Sequence, residues 1–167
     1  MKGKERLIMD QEHNQNVNKI TDNMQKYENY KEQMGRLKRA LSLRFYIEAI
    51  AIEYSIFEDR TASALRHAEI NTISSKGNPL TLSRKLNKIQ NDLSYQSKPL
   101  KGRKIPYELI EHIKSWKYER DDLIHALLSL RTTTEQFQKI AEQGNKLIRL
   151  FSNKVAVSNR YYDKQKE

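Results

Sequence analysis

The chain has 167 residues, 37% hydrophobic and 31% charged, with five glycines, three prolines and no cysteine. That length fits one domain with a core of ordinary size, and so few Gly and Pro favour helices with short connections over a sheet protein. The lack of cysteine excludes a disulfide framework, a zinc–cysteine site and a thiol nucleophile, while the net charge of +10 attracts polyanions in a salt-dependent way.

No segment approaches the roughly 20 apolar residues of a membrane span, and the N-terminus, Met1-Lys2-Gly3-Lys4-Glu5-Arg6, carries no signal-peptide pattern. A soluble cytoplasmic protein is expected. Residues 1–16 are polar and rich in Asn and Gln and read as a flexible N-terminal arm. Residues 17–158 read as a single helical bundle, and residues 159–167 as a polar, basic tail.

Within the bundle, Ile20, Met24, Tyr27 and Met34 make a first helical face, which Gly35 weakens without ending. No Gly or Pro interrupts residues 37–68. The middle of that stretch, Leu41 to Phe57, is apolar nearly all round and suits a central helix, with Arg44 and Glu48 spaced to pair across one turn. Ser74-Ser75-Lys76-Gly77-Asn78-Pro79 is a loop. A shorter helix follows from Thr81, with Leu82, Leu86, Ile89 and Leu93 inward, and a second break falls at residues 97–102.

The next helix starts near Ile105 or Pro106, where proline suits a first turn, and runs to about Leu130. Its core-facing positions are Leu109, Ile113, Trp116, Arg120, Leu123 and Leu127. One of Thr132, Thr133 and Thr134 caps the last helix, whose inward face is Phe137, Ile140, Gly144, Leu147, Phe151 and Val155. Short connections make sequential helices antiparallel neighbours. The expected fold is all-α, an antiparallel up-and-down bundle of four to five helices.

Chemistry enters at Arg120-Asp121-x-x-x-His125. An arginine on an apolar stripe stays charged and needs a partner, and the chain offers the acids Glu53, Glu58 and Asp59 for that purpose. Asp121 and His125 lie four apart, so the carboxylate can orient the imidazole and favour its charged form. Arg120 and His125 are separated by about 140° around an ideal helix; they meet if the arginine curls round, or across a cleft with another helix or subunit. Gly77 and Gly102 stand alone, without a phosphate loop, and His13, His67, His112 and His125 lack metal-ligand spacing, so no metal and no cofactor are expected. RNA cleavage needs a base, an acid and a cation for the phosphorane, and histidine and arginine supply these.

The pattern Arg-polar-x-x-x-His in a late bundle helix resembles the signature of the HEPN superfamily (higher eukaryote and prokaryote nucleotide-binding domain). Glu58-Asp59-Arg60 late in a long apolar helix, Leu82-Ser83-Arg84-Lys85-Leu86 after a loop, Trp116, and Leu123-Ile124-His125-Ala126-Leu127 complete the likeness, which covers about residues 37–155. The resemblance implies a compact helical homodimer with two motifs facing one cleft. It further implies a metal-independent endoribonuclease acting on RNA in a toxin–antitoxin or phage-defence setting, with an antitoxin or other protein as partner; other members are non-catalytic modules that bind a protein or nucleotide. Arg120 and His125 would be the catalytic pair, Asp121 the polar residue after the arginine, and Glu58, Asp59 and Arg60 supporting residues. Arg60–His67 and Arg6–His13 fit the same loose spacing, with Thr61 and Leu7 after the arginine. Leu127 stands where members paired with nucleotidyltransferase antitoxins often carry Tyr.

Overall fold

In a computed structural model the chain is described for residues 24–94, 105–127, 132–164 and 166. The arm, the break at residues 97–102 and the helix end expected near Leu130 lie outside these. Two compact units divide the chain, residues 1–36 and 37–167. In the first, residues 24–36 are helical, Gly35 included, but Met24 and Tyr27 are exposed and do not form a buried face.

The second unit is all-α among its described residues, apart from an isolated bridge between Ile73 and Pro79. In this unit helix α1 covers residues 37–42, with Leu37 and Ala40 buried. After it come α2 (Tyr46–His67), α3 (Leu82–Lys88) with a π-helical turn at Ile89–Ser94, α4 (Tyr107–Leu127) and α5 (Thr134–Lys164). No helix among the described residues is long and apolar enough to cross a membrane.

The uninterrupted helix expected over 37–68 is broken at Leu43-Arg44-Phe45. Arg44 adopts φ +61°, while the Phe45 amide donates to Ala40 O at 2.8 Å and the Arg44 amide to Leu41 O at 3.2 Å. These bonds satisfy the last carbonyls of α1 through a left-handed residue, a stop usually given to glycine. The expected Arg44–Glu48 pair is lost with the helix, since Arg44 now precedes α2. Glu69, also at φ +61°, ends α2 in the same way, with Ile70 N donating to Leu65 O at 2.8 Å. A left-handed L-residue costs about 1 kcal/mol, so Arg44→Gly is expected to raise stability by roughly 0.5–1 kcal/mol. A urea melt with an unchanged or lower midpoint would contradict this.

Expected turn chemistry reappears elsewhere. Gly77 takes φ +79° in the 74–79 loop, with its amide on Ser74 O at 2.9 Å. Thr133 caps α5 in a reciprocal box: the Gln136 amide donates to Thr133 Oγ1 at 3.4 Å and the Thr133 amide to Gln136 Oε1 at 2.8 Å.

The core forms where α2, α4 and α5 meet. Phe57 packs on Trp116 with ring centroids 4.9 Å apart and on Phe151 at 6.0 Å, and the fully buried Trp116 donates its indole N–H to Ile140 O at 3.0 Å. Contacts of Phe57 with Trp116 and Tyr54 with Arg120 run α2 against α4, whereas Ser63–Asn159 and His67–Asp163 run α2 alongside α5. The three long helices therefore run up, down and up, and α2 and α5 are parallel. The short α3 packs on α2 instead of acting as a full strut. Only one broad face of α2 is buried; Ile47, Ala51 and Ser55 are exposed, so it is not enclosed all round.

The predicted inward face of α5 is buried, as are Leu82, Leu86 and Ile89. The polar segment from Asn159 stays helical to Lys164. Asn159 Nδ2 donates to Ser63 Oγ at 3.0 Å and His67 Nδ1 meets Asp163 Oδ1 at 2.6 Å, so this stretch is docked on α2.

Candidate functional site

On α4, Leu109, Ile113, Trp116 and Leu123 are buried, as the stripe requires, and Leu127 is half-buried. Arg120 starts from the same stripe but leaves it. Its guanidinium carbon lies 4.5 Å from the centre of the Tyr54 ring on α2, and its Nη1 donates to Asp121 Oδ1 at 2.9 Å. Its Nε is buried and has no hydrogen-bond partner. The charge thus escapes the core by lying across an aromatic face. None of Glu53, Glu58 and Asp59 is its ion-pair partner: the adjacent Asp121 is.

Asp121 collects a second cation, Lys117, one turn earlier, whose Nζ lies 2.5 Å from Oδ2. Lys117 also sits 5.3 Å from the centre of the Tyr118 ring. Partial burial pushes the Asp121 carboxyl up, but hydrogen bonds from Lys117 and Arg120, with their charges, outweigh it and hold the group below the usual carboxylate range. Burial pushes the Tyr54 phenol up and the charge of Glu58 adds to this, against Lys117 and Arg120. Tyr54 therefore stays neutral at working pH. Glu58, one turn beyond Tyr54, pairs with the buried Lys85 of α3. Tyr54, Glu58, Lys85, Lys117, Arg120 and Asp121 together form one charged seam over α2, α3 and α4.

His125 is exposed and lies one turn beyond Asp121 on the outer side of α4. No hydrogen bond or ion pair joins it to Asp121 or Arg120 among the described residues. α4 is continuous through this stretch, so the 140° separation of Arg120 and His125 stands at their backbones. The guanidinium nonetheless leans to the side of Asp121, which is the side His125 is on. One chain brings Arg120 and Asp121 together; His125 stands on the next turn with no hydrogen bond or ion pair to either.

Asp59 is exposed and pairs with Arg60, Oδ2 to Nη2 at 2.5 Å, so these two and Glu58 are not a single group around Arg120. In the competing Arg60–His67 spacing, His67 is engaged by Asp163. Arg6 and His13 lie outside the described residues. No group of three His, Cys, Asp or Glu suited to a metal ion occurs among the described residues. Open grooves of about 440 Å³ along α5, at Lys139 and Lys146, and about 430 Å³ beside Phe45 and Ile47 are lined by neither Arg120 nor His125.

Sequence reasoning missed two neighbours of this site, Tyr54 beside Arg120 and Lys117 beside Asp121. The Lys117–Asp121 spacing of four was a usable signal for the second; nothing local ties Tyr54 to Arg120. Comparison with family models, with curated proteins and with solved structures finds no match to this chain.

Proposed function

We propose that the chain is a HEPN-like, metal-independent endoribonuclease that acts as a cytoplasmic homodimer in a toxin–antitoxin or phage-defence setting. One observation carries the reading: Arg120 is drawn off the apolar stripe and held, half-buried, by Tyr54 and Asp121, on the side of α4 where His125 is exposed. A guanidinium so placed offers its outer edge to a phosphate. In the proposed reaction His125 takes the 2′-hydroxyl proton or protonates the leaving oxygen, Arg120 stabilises the phosphorane charge, and Asp121 keeps Arg120 in place. Because the pair diverges at the backbone, substrate would bridge them, within one chain or across a dimer cleft. The net charge of +10 favours the approach of RNA.

The test is incubation of pure protein with single-stranded RNA in EDTA. Fragments ending in 2′,3′-cyclic phosphate and 5′-hydroxyl are expected. Intact RNA, or cleavage that EDTA abolishes, would refute the reading.

A second reading, a non-catalytic HEPN-like module binding a protein or nucleotide through the same seam, is favoured by the ion pair with Asp121, which already occupies one edge of Arg120. It predicts ligand binding that depends on Arg120, with RNA left whole.

A further inference from the structure

Two constraints fix a guanidinium in space: something that holds an edge, and something that holds its plane. Asp121 holds one edge of Arg120 through a single bond from Nη1 at 2.9 Å. Nothing polar holds Nε, which is buried without a partner. The plane is left to the Tyr54 ring, 4.5 Å from the guanidinium carbon and well inside the range of cation–π attraction.

We infer that Tyr54 is a positioning residue for Arg120, its ring serving as the platform that keeps the guanidinium off the core and turned toward the His125 side of α4. This rests on the reading of Arg120 as the phosphate-binding residue. Tyr54 suits the role. It stands on the rigid α2 and is half-buried, so its ring cannot swing freely, and Glu58 one turn on is anchored by Lys85. The phenol is pushed up by burial and remains neutral, so the ring face, and not a phenolate charge, provides the attraction. Phenylalanine should therefore replace it, while a side chain of similar bulk without a ring should not. With the platform gone, Asp121 alone would tether Arg120, and the head group would pivot about one bond.

The experiment uses the full chain with Tyr54→Phe, Tyr54→Leu and Tyr54→Gln. The first readout is the Arg120 Nε–H resonance in ¹H–¹⁵N spectra, assigned by its loss in Arg120→Lys. In the wild type and in Tyr54→Phe it should show a ring-current shift and slow exchange with water; in Tyr54→Leu and Tyr54→Gln it should join the other arginines. The second is cleavage of a single-stranded oligoribonucleotide, where kcat should fall about 10- to 100-fold without the ring, with KM little changed, and recover in Tyr54→Phe. An unmoved resonance in both ring-less variants overturns the inference, as does an unchanged kcat or a Tyr54→Phe protein as impaired as Tyr54→Leu. If the wild type leaves RNA whole, the ribonuclease reading fails, and the resonance alone decides whether Tyr54 positions Arg120.

Discussion

Alanine at His125 is expected to slow RNA cleavage by about 10²- to 10⁴-fold, the usual contribution of a positioned acid or base, while leaving the thermal midpoint unchanged. The stability half of this follows from exposure: the imidazole lies on the outer side of α4 and makes no hydrogen bond or ion pair with Asp121 or Arg120. Arg120→Ala, taken singly, should slow cleavage on the order of 10²- to 10³-fold. It should also free one oxygen of Asp121, which Lys117 still holds. Lysine at position 120 is not a conservative exchange, because a compact ammonium neither spreads its charge over the Tyr54 ring nor offers a planar fork to phosphate; it should behave nearly as alanine does. Single-turnover rates with the three proteins, alongside urea melts, check the set. Cleavage that persists at the wild-type rate in both alanine variants would remove Arg120 and His125 from the chemistry.

Where the sequence was legible, local periodicity made it so. Leu109, Ile113, Trp116 and Leu123 mark their helix face without help from the rest of the chain, and all four are buried. Thr133 and Gly77 likewise announce a cap and a turn through their own side-chain and backbone chemistry. The helix stops at Arg44 and Glu69 left no such trace, because their backbone bonds are satisfied through residues that carry no turn preference. The stripe on α4 showed that Arg120 needed an outlet, but the outlet is a ring on another helix, and pairing of residues so far apart in the chain is not encoded in spacing. The parallel course of α2 and α5 has the same origin. It depends on α3 being too short to act as a strut, which only the packed molecule reveals.

Glu53 is where the sequence misled most, and it supports a prediction that needs no assumption about function. As an acid beside an apolar run it was a candidate partner for Arg120; instead it is fully buried in the core, with both carboxyl oxygens lacking a hydrogen-bond partner. Burial pushes its pKa up to about 9, against a small opposing influence from the Asn145 backbone amide, which approaches without reaching bonding geometry. The carboxyl fills the notch left by Gly144: a Cβ there would lie 2.2 Å from Glu53 Oε2 and 2.8 Å from Trp116 Nε1. In the unfolded chain Glu53 ionises near the ordinary carboxyl value of 4.5, whereas in the fold it holds its proton to about 9. Between those two values the folded state binds the extra proton, so stability is greatest below the lower one and falls as pH rises, by up to about tenfold in the folding equilibrium per pH unit. Glu53→Gln has the same shape and cannot ionise. Its stability relative to wild type should therefore climb steadily from pH 5 to pH 8, by on the order of 2–4 kcal/mol across the window. Comparing the two proteins cancels every other titrating group they share. A difference that stays flat with pH in paired urea melts would mean that Glu53 is ionised in the fold and has found a counter-charge. Gly144→Ala tests the same packing from the other helix and should destabilise by about 1–3 kcal/mol through overpacking, a loss that Glu53→Ala in the same chain should largely reverse.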